Sequence, residues 1–226
     1  SKKNTKSTIA AGIMMTALIL NDRESAELLI LAPTKQVADN SFKPARDMIK
    51  ADPILKEMFN VSEHTRTITH LETKATLQVV AADTNTVGGS KGSFILVDEL
   101  HLFGKINGAS SMLREARGGL ASRTEGFTIW LTTQSDEPPS GVFASKLQYA
   151  RDVRDGVISN PKFLPLLYEF PKRYIENELY KNPDNWYVTN PNLGASVDES
   201  FLLTEMSTAE SEGEGELRDF FAKHLN

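Results

Sequence analysis

No cysteine occurs among the 226 residues, tryptophan occurs only twice and histidine four times. Without cysteine the chain has no disulfide framework, no thiolate metal site and no thiol redox chemistry. The histidines, at positions 64, 70, 101 and 224, are scattered and have no cysteine to complete a donor set, so no zinc site is expected. Long apolar runs are scarce as well. The longest, from Ile9 to Leu20, is too short to span a bilayer and lacks the leader and cleavage site of an export signal. A soluble, cytoplasmic chain is therefore the expectation. Proline (10) and glycine (14) are too few for a disordered polypeptide, and 40% hydrophobic residues suffice for one core with a small appendage.

The net charge of -5 excludes a uniformly basic coat, but the charge is unevenly distributed. Residues 1–60 carry nine Lys and Arg against seven Asp and Glu, whereas residues 196–226 carry two against eight. A polyanion is expected to meet the N-terminal half.

Along the chain, Thr8 to Leu20 is apolar nearly all round, the pattern of a central helix buried on every side. "AELLILAP" (26–33) is a short continuous apolar run, suited to a buried parallel strand. A helix from Lys35 to about Ile49 follows, with Val37, Ala38, Phe42, Ala45, Met48 and Ile49 on one face, and then a break and a short helix in "ADPILKEMF". Thr65–Leu71 and Ala75–Asp83 alternate with period two and predict a hairpin or adjacent strands. "SFILVDEL" predicts another buried strand, residues 110–121 a helix, Gly126–Ser135 a strand with a polar tip, Ser140 to about Arg154 a helix, and Phe163–Phe170 a last strand. Strands alternating with helices imply an α/β fold, a mostly parallel sheet with helices on both faces, with ligands at the carboxyl ends of the strands. Residues 1–171 form this core. Residues 172–226 read as a lid or linker with turns at Asn182-Pro183 and Asn190-Pro191-Asn192 and an acidic "ESEGEGE".

Three strand-end or loop segments carry chemistry. "KKNTKST" matches the second half of the phosphate-loop pattern G-x-x-x-x-G-K-[ST], with Thr5 where the second glycine is expected. Backbone amides at a helix N-terminus would cradle phosphates together with Asn4, Thr5 and Thr8. Lys6 would reach their β and γ oxygens, Ser7 would hold Mg²⁺, and Lys3 would add positive charge. On these residues alone, a solvated basic terminus with Ser7 as helix cap is the favoured reading. "FILVDEL" ends an apolar strand in Asp98-Glu99, the Walker B pattern, in which Asp98 serves the metal and Glu99 activates water. "TIWLTTQS" brings Thr132, Thr133 and Gln134 to a third strand end, where they would sense the γ-phosphate. Threonine's preference for strands explains the same residues without a function.

The series "KKNTKST", "LAPTKQVADNSF", "GGSKGSFILVDELHLFG", "LTTQSDEPPSGVF", "LPLLYEF" and "WYVTNPNLG" resembles the ATPase region of the large terminase subunit of tailed bacteriophages, a P-loop ATPase of the RecA-like type. The resemblance covers nearly the whole chain. It implies ATP and Mg²⁺ as cofactors and a motor moving double-stranded DNA into a procapsid. The motor would work as a homo-oligomeric ring on the portal protein with a small terminase subunit, in the host cytoplasm. In that family Lys6 and Ser7 match the Walker A pair, Asp98 and Glu99 the Walker B pair, and Thr132-Thr133 the coupling motif, with Thr34 and Gln36 in structural or DNA-side roles. It further implies that the strand before the phosphate loop and the loop's first glycine are missing, so that nucleotide binds weakly or not at all. A C-terminal endonuclease domain is expected to be absent too. Thr5 in place of glycine is tolerable there if its φ stays negative.

An ATPase of this kind needs an arginine at the γ-phosphate, and Arg114, Arg117 and Arg123 are candidates, with Lys91 in the preceding Gly-rich loop. His101 in "DELH" reads as a packing or hydrogen-bonding residue, the "SEGEGE" run as a solvated turn, and Trp186, Tyr187 and Phe170 as packing for the lid. Two other functions fit less of the chain: another helicase-like P-loop enzyme, which would need a second RecA-like domain, and a silent assembly or DNA-binding module.

Overall fold

The computed structural model describes residues 4–82, 92–135 and 137–225. These pack into two units: Lys6–Thr132, and a second made of Asn4 and Thr5 together with the chain from Thr133 onward.

In the first unit, helix α1 (Lys6–Leu20) leads to strand β1 (Glu27–Ala32) and helices α2 (Lys35–Ala51) and α3 (Pro53–Met58). Strands β2 (Phe59–Ser62), β3 (Thr67–His70), β4 (Thr76–Ala81) and β5 (Phe94–Val97) follow, then helices α4 (Leu100–Phe103) and α5 (Ala109–Ala116), a 3-10 turn over Arg117–Ser122 and strand β6 (Phe127–Trp130). The six strands form one sheet in the order β2-β3-β4-β1-β5-β6. The run β4-β1-β5-β6 is parallel and β2-β3-β4 is an antiparallel wing. The fold is thus α/β with a mostly parallel sheet, as expected.

Sequence explains these placements. Strand β1, "ELLILA", is buried from Leu28 to Ala32, and all of β5 is buried, because a central parallel strand meets apolar neighbours on both faces. Helix α2 starts where the Thr34 hydroxyl accepts the Val37 amide at 3.2 Å, and it buries Ala38, Phe42, Ala45 and Ile49, as its periodicity predicts. Strand β6 enters beside β5 at Gly126, where a β-carbon would lie 2.5 Å from the Ser93 carbonyl oxygen.

Helix α1 departs from expectation. Ala10, Ala11, Met14, Met15, Ala17 and Leu18 are buried, but Ile9 is 59% and Leu20 76% exposed, with Ile13 and Thr16 on the same side. The elements packed on α1 are α2, β4 and β5, and they cover one side of it. Its outer row lines a groove of about 640 Å³ with Phe94, Phe127 and Glu125. Strand β2 and helix α4 have no counterpart among the sequence expectations, because four residues are too few for a period to register.

The second unit holds α6 (Gly141–Arg154), α7 (Lys172–Glu176), 3-10 turns at Leu179–Lys181 and Pro183–Val188, α8 (Glu199–Glu212) and α9 (Glu214–His224). Its core gathers Phe170, Trp186, Val197, Leu202, Ala209, Phe220 and Leu225 around the fully buried Trp186. Tyr187, expected to pack with them, is 60% exposed. Gly213, at φ +121°, separates α8 from α9 and leaves Glu212, Glu214 and Glu216 in solvent. The strand expected at Phe163–Phe170 is absent from the sheet. Three of its side chains are held individually instead: Phe163 packs on Tyr149, Glu169 is gripped by Arg151 at 2.6 Å, and Phe170 enters the core, while Leu164 and Leu166 stay exposed. Among the described residues no helix is long and apolar enough to cross a membrane.

Candidate active site

Three sequence-distant segments of the first unit meet at Asp98, which follows β5 and is only 1% exposed. From α1, the Ser7 hydroxyl lies near enough to its carboxylate to help lower its pKa. From α2, the Ser41 hydroxyl donates to Oδ2 at 2.6 Å, and the Glu99 amide donates to Oδ1 at 3.0 Å. Burial pushes the Asp98 carboxyl pKa up, the Ser41 hydrogen bond pulls it down and the Glu99 charge raises it again. The net direction is upward. A buried carboxylate with this few donors is a group that a cation would stabilise.

Lys6, the first residue of α1, faces the same pair. Burial lowers its pKa, and the negative charges of Glu99 and then Asp98 act the other way, leaving it net lowered. The first turn of α1 carries no acidic side chain, so its amides and the helix dipole are not neutralised from within. Such a helix N-terminus beside a lysine suits an oxyanion such as a phosphate.

Glu99 itself adopts φ +51°, ψ +51°, a left-handed conformation unusual for glutamate. Such strain, on the order of 1 kcal/mol, persists where the surroundings over-determine it. Here they do: the Leu100 amide donates to the Leu131 carbonyl at 3.0 Å, and the His101 amide donates to Thr132 Oγ1 at 3.0 Å. His101 Nδ1 lies 3.3 Å from Glu99 Oε2 and 3.1 Å from Thr132 Oγ1. The turn after β5 is thereby joined to the end of β6, and His101 connects a carboxylate to a threonine rather than merely packing.

Thr5 is a correction. Its φ is +53°, not negative, so this β-branched residue occupies the conformation glycine would take freely. The penalty is on the order of 1–2 kcal/mol. Within the second unit, Asn192 Nδ2 donates to Thr5 Oγ1 at 2.7 Å, and the Asn192 amide donates to Asn4 Oδ1 at 3.1 Å. Asn4 Nδ2 donates to Asn190 Oδ1 at 3.2 Å.

The structure therefore brings Lys6, Ser7, Asp98 and Glu99 together and ties Thr132 to them through His101. Thr8 lies exposed on α1, and Thr133 and Gln134 belong to the second unit, where Thr133 is buried. Arg114 is exposed on α5, Arg117 lies over the Trp130 ring at 5.7 Å, and Arg123 is half-buried after the 3-10 turn. Lys3, Lys91 and the Gly-rich loop before β5 lie outside the described residues.

Sequence reasoning missed Ser41, Asn190 and Asn192. A signal existed for Ser41, a serine set among the apolar positions of α2 at a spacing that buries it. No group of three or more histidine, aspartate or glutamate side chains able to hold a metal ion occurs among the described residues. The donor set of one carboxylate and one hydroxyl still fits Mg²⁺, which keeps several waters and takes other oxygens from phosphates.

A family model described as "Terminase large subunit, ATPase domain" matches residues 1–152. Among solved structures, the crystal structure of the HK97 bacteriophage large terminase is similar over 100% of this chain and 44% of its own, at TM-score 0.80 and 18% identity. The large terminase of a thermophilic bacteriophage is similar over 79% of this chain and 42% of its own, at TM-score 0.51 and 14% identity. The chain thus spans less than half the length of either. Among curated proteins, no sequence matches.

Proposed function

Because the chain belongs to the terminase large subunit ATPase domain family, we propose that it hydrolyses ATP and that hydrolysis powers movement of double-stranded viral DNA into a procapsid. One observation carries the reading. Ser7, at the start of α1, stands near enough to Asp98, which follows β5, to help lower its pKa, while Lys6 faces both Asp98 and Glu99. This convergence is what a Walker A and Walker B pair requires, and it supports that reading of "KKNTKST" over a surface cap.

Lys6 and the amides at the start of α1 neutralise the phosphate oxygens. Ser7 and Asp98 would hold Mg²⁺, which would supply positive charge to the phosphate oxygens. Glu99 accepts a proton from the water whose oxygen attacks the γ-phosphorus, as the bond to the β–γ bridging oxygen breaks. Thr132, through His101, fixes where the Glu99 carboxylate sits. The charge asymmetry of the sequence supports DNA meeting the N-terminal half. We extend the reading to a homo-oligomeric ring engaging a portal protein and a small terminase subunit in the host cytoplasm, with endonuclease activity assigned to the parent polypeptide rather than to these residues.

The test is DNA-stimulated ATP hydrolysis by the parent polypeptide, with Glu99→Gln and Lys6→Ala beside it. Loss of turnover in Glu99→Gln with nucleotide still bound supports the assignment; turnover retained in that variant removes Glu99 from its role.

A further inference from the structure

We propose that Asn190 and Asn192 are positioning residues for the phosphate loop: they clasp Asn4 and Thr5 and hold Thr5 in the left-handed conformation that aims the following amides at an anion. The inference rests on the functional reading above and adds to it a part of the chain remote in sequence from the nucleotide motifs.

The clasp is built to a single orientation. Asn190 is 1% exposed, and its Nδ2 donates to the carbonyl oxygens of His224 at 3.0 Å and Trp186 at 3.3 Å. Two carbonyls can only receive from the amide nitrogen, so the Asn190 Oδ1 is turned toward Asn4, whose Nδ2 donates to it. Trp186 lies at the centre of the second unit's core. Asn192 is fixed through its backbone: its carbonyl oxygen accepts the amides of Ala195, Ser196 and Val197 at 3.0–3.1 Å. Pro191, between the two asparagines, locks its own φ and spaces them. The Asn192 amide and side chain then reach Asn4 and Thr5, respectively.

The object being held explains the need for a clasp. Thr5 is left-handed and Lys6 begins a right-handed helix. A left-handed residue next to a helical one turns successive N–H groups into one concavity, an anion-binding nest. Glycine would adopt this shape unaided, whereas a β-branched residue resists it. The hydrogen bond from Asn192 to the Thr5 hydroxyl uses an oxygen that glycine lacks. Substitution and clasp therefore compensate each other, and the chain keeps the nest without the glycine.

The experiment compares the chain with Asn192→Ala, Thr5→Gly and the double variant. Dissociation constants for a fluorescent ATP analogue with Mg²⁺ are read beside amide hydrogen exchange of residues 4–8 in the nucleotide-free chain. Asn192→Ala is chosen over Asn190→Ala because removal of the buried Asn190 amide would strand two core carbonyls and unfold the unit. Asn192→Ala is expected to weaken nucleotide binding about tenfold, the worth of one hydrogen bond, and to speed exchange in residues 4–8 alone. Thr5→Gly in the same chain is expected to restore the affinity. Unchanged exchange at residues 4–8 overturns the proposal, and so does an affinity loss that Thr5→Gly fails to relieve. If the unaltered chain binds no nucleotide, the proposed function fails for this chain while the exchange measurement still decides the clasp.

Discussion

Ser41, on the buried face of α2, donates its hydroxyl proton to Asp98 at 2.6 Å and so keeps a nearly solvent-free carboxylate closer to ionisation than burial alone would allow. The proposed binding of Mg²⁺ with nucleotide requires the ionised form. Since burial already raises the Asp98 pKa, affinity is expected to fail on the acid side at a higher pH than an ordinary aspartate would set. Ser41→Ala removes the largest opposing influence and is expected to move that limb further toward neutral pH. Dissociation constants measured across pH check it. An unmoved limb would mean that Asp98 does not govern it.

Asp98→Asn is expected to trade activity for stability. A carboxyl whose folded pKa lies above its unfolded one contributes stability at low pH and loses it as pH rises through the folded value, so at neutral pH Asp98 is a net cost. The amide removes that cost and can still accept from Ser41. A rise in unfolding free energy of about 1 kcal/mol at pH 7.5, shrinking below the carboxylate range, is the expected denaturation result, with Mg²⁺-dependent hydrolysis lost.

Thr132→Val tests the link from β6 to Glu99. The substitution keeps the shape but removes the oxygen that accepts the His101 amide and faces its ring. The turnover number is expected to fall about tenfold or more, because small misplacement of a reacting group is costly, while the nucleotide dissociation constant changes little. An equal loss in both would reduce Thr132 to a structural role.

Gly126→Ala is expected to destabilise the first unit by about 1–3 kcal/mol, the usual range for overpacking. The added carbon would sit against the Ser93 carbonyl oxygen, which belongs to backbone and has no rotamer to change. Urea denaturation midpoints measure it.

Much of the first unit was legible because its signals are local. The uniform apolarity of "LLILA" and "FILV", the stripe on α2 and the carboxylate pair after β5 each report their surroundings directly. The site's supporting groups were not, since Ser41 and Asn192 act through contacts with residues far away in sequence. Likewise, "FLPLLYEF" has the composition of a strand, yet a strand is defined by its neighbour, and composition does not name one. The φ of Thr5 escapes the sequence for a related reason: intrinsic preference favours the negative value, and Asn192 overrides it.

The two halves of the sheet also differ in when they form. The β2-β3-β4 wing joins sequence neighbours through tight turns, so it closes with little loop entropy and on the microsecond scale of hairpins. The parallel pairs of β1 with β4 and with β5 must wait for long crossovers. Ser7 precedes β1, Ser41 lies within the crossover from β1 to β4, and Asp98 follows β5. A folding intermediate that already protects the amides of β3 and β4 will therefore still lack the nucleotide pocket, and pulse-labelled exchange should show the Asp98 amide gaining protection last. Assembly of the Ser7, Ser41 and Asp98 cluster is thus expected to be a late event of folding, gated by the slowest closures in the chain.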